Sequence, residues 1–359
     1  MKDWPDRRLT DLLGVQHPII QAPMLGAGAA LMAGAAQAGA LGSLACATLT
    51  LAQVESEVAA FRAATNAPLN LNFFCHQPAP TDDAAQARWK ALLADYYREV
   101  GADFDAPTPV SSRAPFDEAS CALVEKLRPE IVSFHFGLPA EPLLNRVKAT
   151  GAKVLASATT VEEALWLQAN GCDAIIAMGY EAGGHRGMFL HTELTTQIGT
   201  FALVPQIVDA VTVPVIAAGG IADSRGINAA FALGAAGVQI GTAYLFCDEA
   251  NLTTPHHTAL RNASASDTAL TTLFTGRPAR GIVNRLMREL GPLNPNAPAF
   301  PTAGGALVAL RAKCEAQGVG DFSNLWAGQA FALSAGRTGR VTAFEFTQGL
   351  VRGCLATSG

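Results

Sequence analysis

VPVIAAGGIADSRGINAAFALGAAGVQIGTAYL, residues 213–245, sets two short β-branched runs on either side of a helix-forming stretch. The first run, 213–220, closes on a glycine pair, after which Asp223 and Ser224 signal a helix start and 224–233 carries the helix. The second run, 237–245, meets a glycine again at Gly241. Strand, tight turn, helix and strand within about thirty residues make a βαβ unit, whose helix returns the chain so that its strands lie parallel. The two glycine turns also have a chemical meaning. Lacking Cβ atoms, Gly219, Gly220 and Gly241, with Thr242, can bring backbone N–H groups against an anion as a phosphate cradle.

The same rhythm runs upstream. Apolar runs at 18–23, 41–45, 69–74, 131–136, 153–158 and 174–179 alternate with Ala/Leu-rich helical stretches, for example 160–170. With the two runs above they number eight, which fits a closed (β/α)8 TIM barrel better than an open doubly wound sheet with a glycine fingerprint after its first strand. The expected division is an α/β barrel over 1–250, interrupted after the third strand by a Pro-rich insertion at about 76–116 with a helical centre at 84–100. Residues 251–359 are expected to hold the final barrel helix, at 260–290, and a helical cap over the mouth with helices near 302–317, 322–335 and 343–354.

Composition narrows the functional classes. Half of the 359 residues are apolar, glycines number 34 and the net charge is −5, with basic residues scattered singly. No Lys/Arg stripe offers itself to nucleic acid or an anionic membrane, and no continuous apolar span or signal peptide is legible. Seven widely spaced cysteines without a CxxC pair fit a reducing, cytoplasmic setting, and the histidines show no metal-ligand spacing, so no metal is expected. The oligomeric state is left open, a homo-oligomer included.

Barrel enzymes place their chemistry at the C-terminal ends of the strands. There the sixth run ends in GYEAGGHRG, 179–187, where His185 offers an imidazole for proton transfer and Gly183 and Gly184 let the backbone approach a flat ring system. Asn72, near the end of the third run, can donate to and accept from such a ring edge, or simply form a turn. Arg186 could attract an anionic substrate from beside the base, and Gln329 in LWAGQA could reach the mouth from the cap.

Together QAPM (21–24), LNLNFF (69–74), SFHFG (133–137), EAGGHRG (181–187), AAGGI (217–221), QIGT (239–242), FTGRPARG (274–281) and LWAGQA (325–330) resemble the nitronate monooxygenase family, nearly end to end. The resemblance implies FMN held around Ala22, Pro23, Met24, Asn72, Gly183, Gly219 or Gly220, and Gln239, Ile240, Gly241 and Thr242. It implies oxidation of a nitronate, or of a nitroalkane after His185 takes its α-proton, with O2 and release of a carbonyl compound and nitrite. The family tends to have Gln where this chain has Met178, so His135 or another side chain would replace that flavin partner. The alternatives are an FMN-dependent enoyl-acyl-carrier-protein reductase drawing on NAD(P)H and a non-catalytic flavin-binding protein.

Overall fold

The computed structural model describes residues 4–78, 82–111, 113–335 and 340–357. Parts of the expected segments at 1–3, 79–81, 112, 336–339 and 358–359 lie outside the described residues. The eight runs become eight parallel strands: Ile19–Gln21, Gly42–Ala45, Leu69–Phe74, Ile131–His135, Lys153–Ala158, Ala174–Met178, Val215–Ala218 and Gly237–Ile240. Neighbours in the chain pair in order from the second strand to the eighth, which pairs with the first through Gln21 and Ile240. A parallel bridge between Ile20 and Leu41 joins first to second, and the (β/α)8 ring closes.

Period-two alternation sorts the strand side chains into two sets. Leu71, Val132, Val154, Ile175, Ala217 and Val238 face outward and pack under the helices. Ile20, Ile131, Leu155, Ile176 and Ile216 face inward, where Leu9 and Leu13 of helix Arg8–Leu13 join them and plug one end. On the same inward phase, nearer the strands' C-terminal ends, come Asn72, His135, Ser157, Met178, Ala218 and Gln239. The fold therefore leaves a polar-lined mouth above an apolar floor.

Helices Val161–Ala169 and Ser224–Ala232 form where the sequence places them, with Thr160 and Asp223 side chains accepting from first-turn N–H groups. The insertion carries helices Asp83–Leu92 and Ala94–Val100, whose Trp89, Leu93 and Tyr97 pack on Leu273, Phe274, Leu307 and Leu310.

Two expectations about the C-terminal part are corrected. Residues 260–290 do not supply the eighth barrel helix. They hold the end of helix Thr254–Asn262, an antiparallel hairpin of Thr268–Thr271 with Ala279–Ile282, and helix Arg285–Leu290. The eighth position is filled by helix Ala343–Thr357, which packs between Ala29–Gln37 and Ser224–Ala232. Its apolar stripe explains the choice: Ala343, Phe346, Leu350, Val351 and Cys354 recur at helical spacing and are all buried. Residues 247–335 are thus an excursion over the mouth, after which helix Ala343–Thr357 closes the barrel wall. Residues 322–335 form a helix only at Ala332–Ala335. The stretch before it runs along the hairpin, with the Ile282 N–H donating to Leu325 O and Gly281 bridging Trp326, so tertiary pairing overrides its helical periodicity.

Candidate active site

A cavity of about 470 Å³ opens at the C-terminal ends of the strands. One side is backbone. Gly219 and Gly220 follow the seventh strand with φ of +107° and +72°, a conformation that favours glycine, and a Cβ on Gly219 would stand 3.0 Å from the Ala182 nitrogen. The N–H groups of Gly219, Gly220 and Gly241 donate to no protein acceptor among the described residues. The Thr242 hydroxyl accepts from Gly328 N–H at 2.9 Å and keeps its own proton to give. Ala22, Pro23 and Met24 line the same side from the end of the first strand.

The barrel interior supplies the side chains between. Asn72 donates to Ser133 Oγ at 2.9 Å, which fixes the amide so that its oxygen is the free end. Gln239 lines the cavity and its Oε1 is buried without a hydrogen-bond partner. An acceptor left unmet in a native interior marks a place where a ligand donor is due. Ile240, one residue out of phase, points outward into the helix layer and does not reach the cavity. Met178 does reach it and is nearly buried.

His135 lines the cavity with both ring nitrogens already engaged. Nε2 lies 3.1 Å from the His185 carbonyl, which can only accept, so Nε2 carries the proton and Nδ1 accepts from Ser157 Oγ at 2.7 Å. It cannot also replace the glutamine that the family pattern expects at position 178. Burial pushes its pKa down to about 3, so the ring is neutral.

The other side of the cavity is built around His185. Its loop is held by charge at several points. Glu181 accepts from the Thr200 N–H and hydroxyl at 2.8 and 2.7 Å, which anchors the loop to the start of helix Thr200–Ala210. Arg186 is fully buried and donates to Gly179 O at 2.6 Å, Met178 O at 2.8 Å and Gln197 Oε1 at 2.9 Å. That corrects its expected role: the guanidinium is spent on the loop and does not face the cavity. Gln329 is exposed, and its backbone N–H rather than its side chain reaches the loop, at Glu181 O. Neither side chain is in position to bind substrate.

The His185 ring is enclosed by Phe74, Phe136, Phe300 and Trp326, with ring centroids 5.3–6.0 Å away. Phe136 sits at φ +71°, a left-handed backbone that a bulky residue enters only under constraint, and its ring also lies 4.0 Å beneath the Arg277 guanidinium. Nε2 is 2.9 Å from Thr275 Oγ1, and Nδ1 has no protein partner among the described residues. Burial, reinforced most by Arg113, holds the imidazole well below its ordinary pKa, so the ring is neutral. Arg113 itself lines the cavity and forms no ion pair among the described residues.

Sequence reading alone missed this wall: Phe74, Arg113, Thr275, Phe300 and Trp326. Phe74, Thr275 and Trp326 lay within recognised motifs without a role, and Arg113 and Phe300 belong to the insertion and to the excursion over the mouth. Among the described residues no group of His, Cys, Asp and Glu has metal-binding geometry, and no helix is long and apolar enough to cross a membrane.

A family model described as nitronate monooxygenase matches residues 6–339. The chain is 41% identical over 334 residues to a nitronate monooxygenase of Pseudomonas aeruginosa, spanning 91% of this chain and 94% of that protein. Among solved structures it is similar to a nitroalkane oxidase from Streptomyces ansochromogenes, with TM-score 0.87, 35% identity and coverage of 98% and 99% of the two chains. It is also similar to FabK from Thermotoga maritima, with TM-score 0.75, 25% identity and coverage of 99% and 98%.

Proposed function

The chain belongs to the nitronate monooxygenase family, an oxidoreductase family that oxidises nitronates, and from that premise we propose an FMN-dependent reaction with dioxygen that releases nitrite and a carbonyl compound. The observation that carries the proposal is the pairing, in one cavity, of an anion-ready glycine cradle with a neutral, ring-enclosed histidine and an arginine, Arg113, that forms no ion pair among the described residues.

The residues present fit a flavin. Free N–H groups at Gly219, Gly220 and Gly241 and the Thr242 hydroxyl match a terminal phosphate, while the unmet Gln239 Oε1 and the free Asn72 oxygen match the donors of a flavin ring edge. FMN, when bound, supplies an acceptor for the electron that an electron-rich nitronate gives up. Gly184 lines the cavity where a Cβ would meet open space, which leaves room for a flat ring, whereas the missing Cβ of Gly183 lets the loop close against Ala327 and Gly328.

The chain's own groups would then act on the substrate. Arg113 attracts the nitronate anion and balances its charge, because among the described residues no carboxylate pairs with it. The aromatic wall around His185 excludes water, so that charge is felt in a low dielectric. For a neutral nitroalkane, His185 takes the α-proton at a ring nitrogen that the fold keeps unprotonated. His135 is already committed to Ser157 and the His185 carbonyl and therefore holds the base in place instead of competing for the proton.

The test is oxygen uptake and nitrite release by the purified protein given propionate 3-nitronate, ethyl nitronate and nitroethane, alongside its visible absorption spectrum. A flavin spectrum with nitronate-dependent oxygen uptake is expected. Rapid anaerobic bleaching of the flavin by NADH, with no reaction toward any nitronate, would overturn the proposal in favour of a nicotinamide-dependent reductase.

A further inference from the structure

The segment FTGRPARG, 274–281, is bound to the His185 loop along its length. Gly184 and His185 pair antiparallel with Arg280 and Ala279, and Arg186 N–H donates to Pro278 O at 2.9 Å. Gly276, at φ +87°, seats this segment tightly, since a Cβ there would run into the backbone of Pro298, Ala299 and Phe300. Thr275 is buried at 1% exposure, and its hydroxyl lies 3.3 Å from Arg277 O and 2.9 Å from His185 Nε2.

A threonine hydroxyl has one proton to give and a carbonyl can only accept. With that proton directed to Arg277 O, the hydroxyl must receive from His185, so Nε2 is the protonated nitrogen. We infer that Thr275 is a positioning residue that fixes the tautomer of His185, holding the proton on Nε2 and leaving the Nδ1 lone pair to the cavity. This rests on the reading of His185 as the base. Without such a partner, a neutral imidazole in an apolar box can hold its proton on either nitrogen, and one of the two forms offers the substrate no basic atom. A partner on the far nitrogen that sets the tautomer of a working histidine is a general device. Here a threonine takes the place more often filled by a carboxylate, which keeps the ring neutral: a carboxylate would pull the pKa up, whereas a hydroxyl orients the ring without adding charge.

The experiment is a two-bond 1H–15N correlation spectrum of the protein as purified, labelled at histidine, with the His185 signals assigned by their loss in His185→Asn. The wild type is expected to give the pattern of a neutral ring protonated on Nε2 alone between pH 6 and 8. Thr275→Val, which keeps the shape and removes the hydroxyl, should lose that single-tautomer pattern, and Thr275→Ser should restore it. A wild-type ring protonated on Nδ1, or a Thr275→Val spectrum still showing only the Nε2-protonated form, would overturn the inference. Failure of the base assignment is distinguishable, because unchanged nitroalkane turnover in His185→Asn would remove the base while leaving the tautomer result intact.

Discussion

The two sides of the cavity are made in different ways. The side at the seventh and eighth strands, Gly219 to Thr242, acts through backbone N–H groups, and each of its features is local: a strand end, a glycine and a following helix within about ten residues. The opposite wall acts through side chains. It gathers Phe74 from the third strand, Phe136 from the fourth, Arg113 from the insertion, and Thr275, Phe300 and Trp326 from the excursion over the mouth. The first can be written in a short motif, because it needs only the absence of side chains at fixed positions. The second depends on long-range docking of segments with little pattern of their own. On the proposed reading, a general cofactor grip stands opposite a wall particular to the reaction.

His185 belongs to the second side, and its replacement is the sharpest way to break the comparison. His185→Asn should retain bound flavin, because the glycine cradle is untouched, yet lose roughly 10²- to 10⁴-fold in turnover of neutral nitroalkanes, the usual range for a general base. Flavin absorbance of the purified variant and stopped-flow rates with nitroethane check both halves. Loss of the flavin together with the activity would show that the two sides are not separable.

The converse variant attacks the backbone side. Gly219→Val places a β-branched residue at φ +107° with its Cβ 3.0 Å from the Ala182 nitrogen. Strain of about 1–3 kcal/mol at such a position should lower flavin affinity by roughly ten- to a hundredfold. The fraction that stays loaded should turn over normally, because the wall around His185 is unaltered. Equilibrium dialysis with FMN, followed by rates normalised to bound flavin, measures it.

These two variants also show what the sequence could and could not disclose. The barrel was legible because eight buried parallel strands leave eight apolar runs, and the glycine turns because positive φ at a strand end favours glycine. Gln239 and Ile240 show the finer limit: both lie in one motif, but strand alternation sends the first into the cavity and the second into the helix layer. Arg186 misled for a related reason. An arginine beside the base looks like a substrate anchor until the fold reveals three acceptors waiting for it, at Met178, Gly179 and Gln197. The eighth helix was misplaced because helix Ala343–Thr357 is separated from its strand by an excursion that no local signal announces.

Arg113 supplies a smaller, graded test of the side-chain wall. Removing its guanidinium in Arg113→Ala should raise KM for an anionic nitronate about tenfold, as expected for one lost charge-assisted contact, while kcat stays within about twofold. Arg113→Lys should recover part of the loss, and the wild-type KM should rise with ionic strength more steeply than that of the Ala variant. A neutral nitroalkane should be far less sensitive to all three changes. Equal effects on charged and neutral substrates would assign Arg113 to packing instead of attraction.

The smallest effect separates the two sides by their response to acid. The wall encloses histidines that the fold keeps neutral: burial, reinforced by Arg277, brings His76 down to about 4, and burial brings His135 down to about 3. In the unfolded chain both titrate near 6.5, so between that value and their folded values the unfolded state binds more protons and stability falls as pH falls. Each ring adds a slope approaching about 1.4 kcal/mol per pH unit in that window, and none of it operates above neutrality. His76 is the cleaner probe, because it is not among the residues that line the cavity with the glycine cradle. Its ring meets Phe300 edge-on at 4.8 Å, with Phe74 and Phe136 close by, and its Nδ1 is buried without a partner among the described residues. His76→Phe should therefore fit the same space, leave stability at pH 7.5 equal or slightly higher, and flatten the decline in unfolding temperature between pH 6.5 and 5. Thermal unfolding of wild type and variant over that range decides it. Parallel curves would mean that His76 stays protonated in the folded wall.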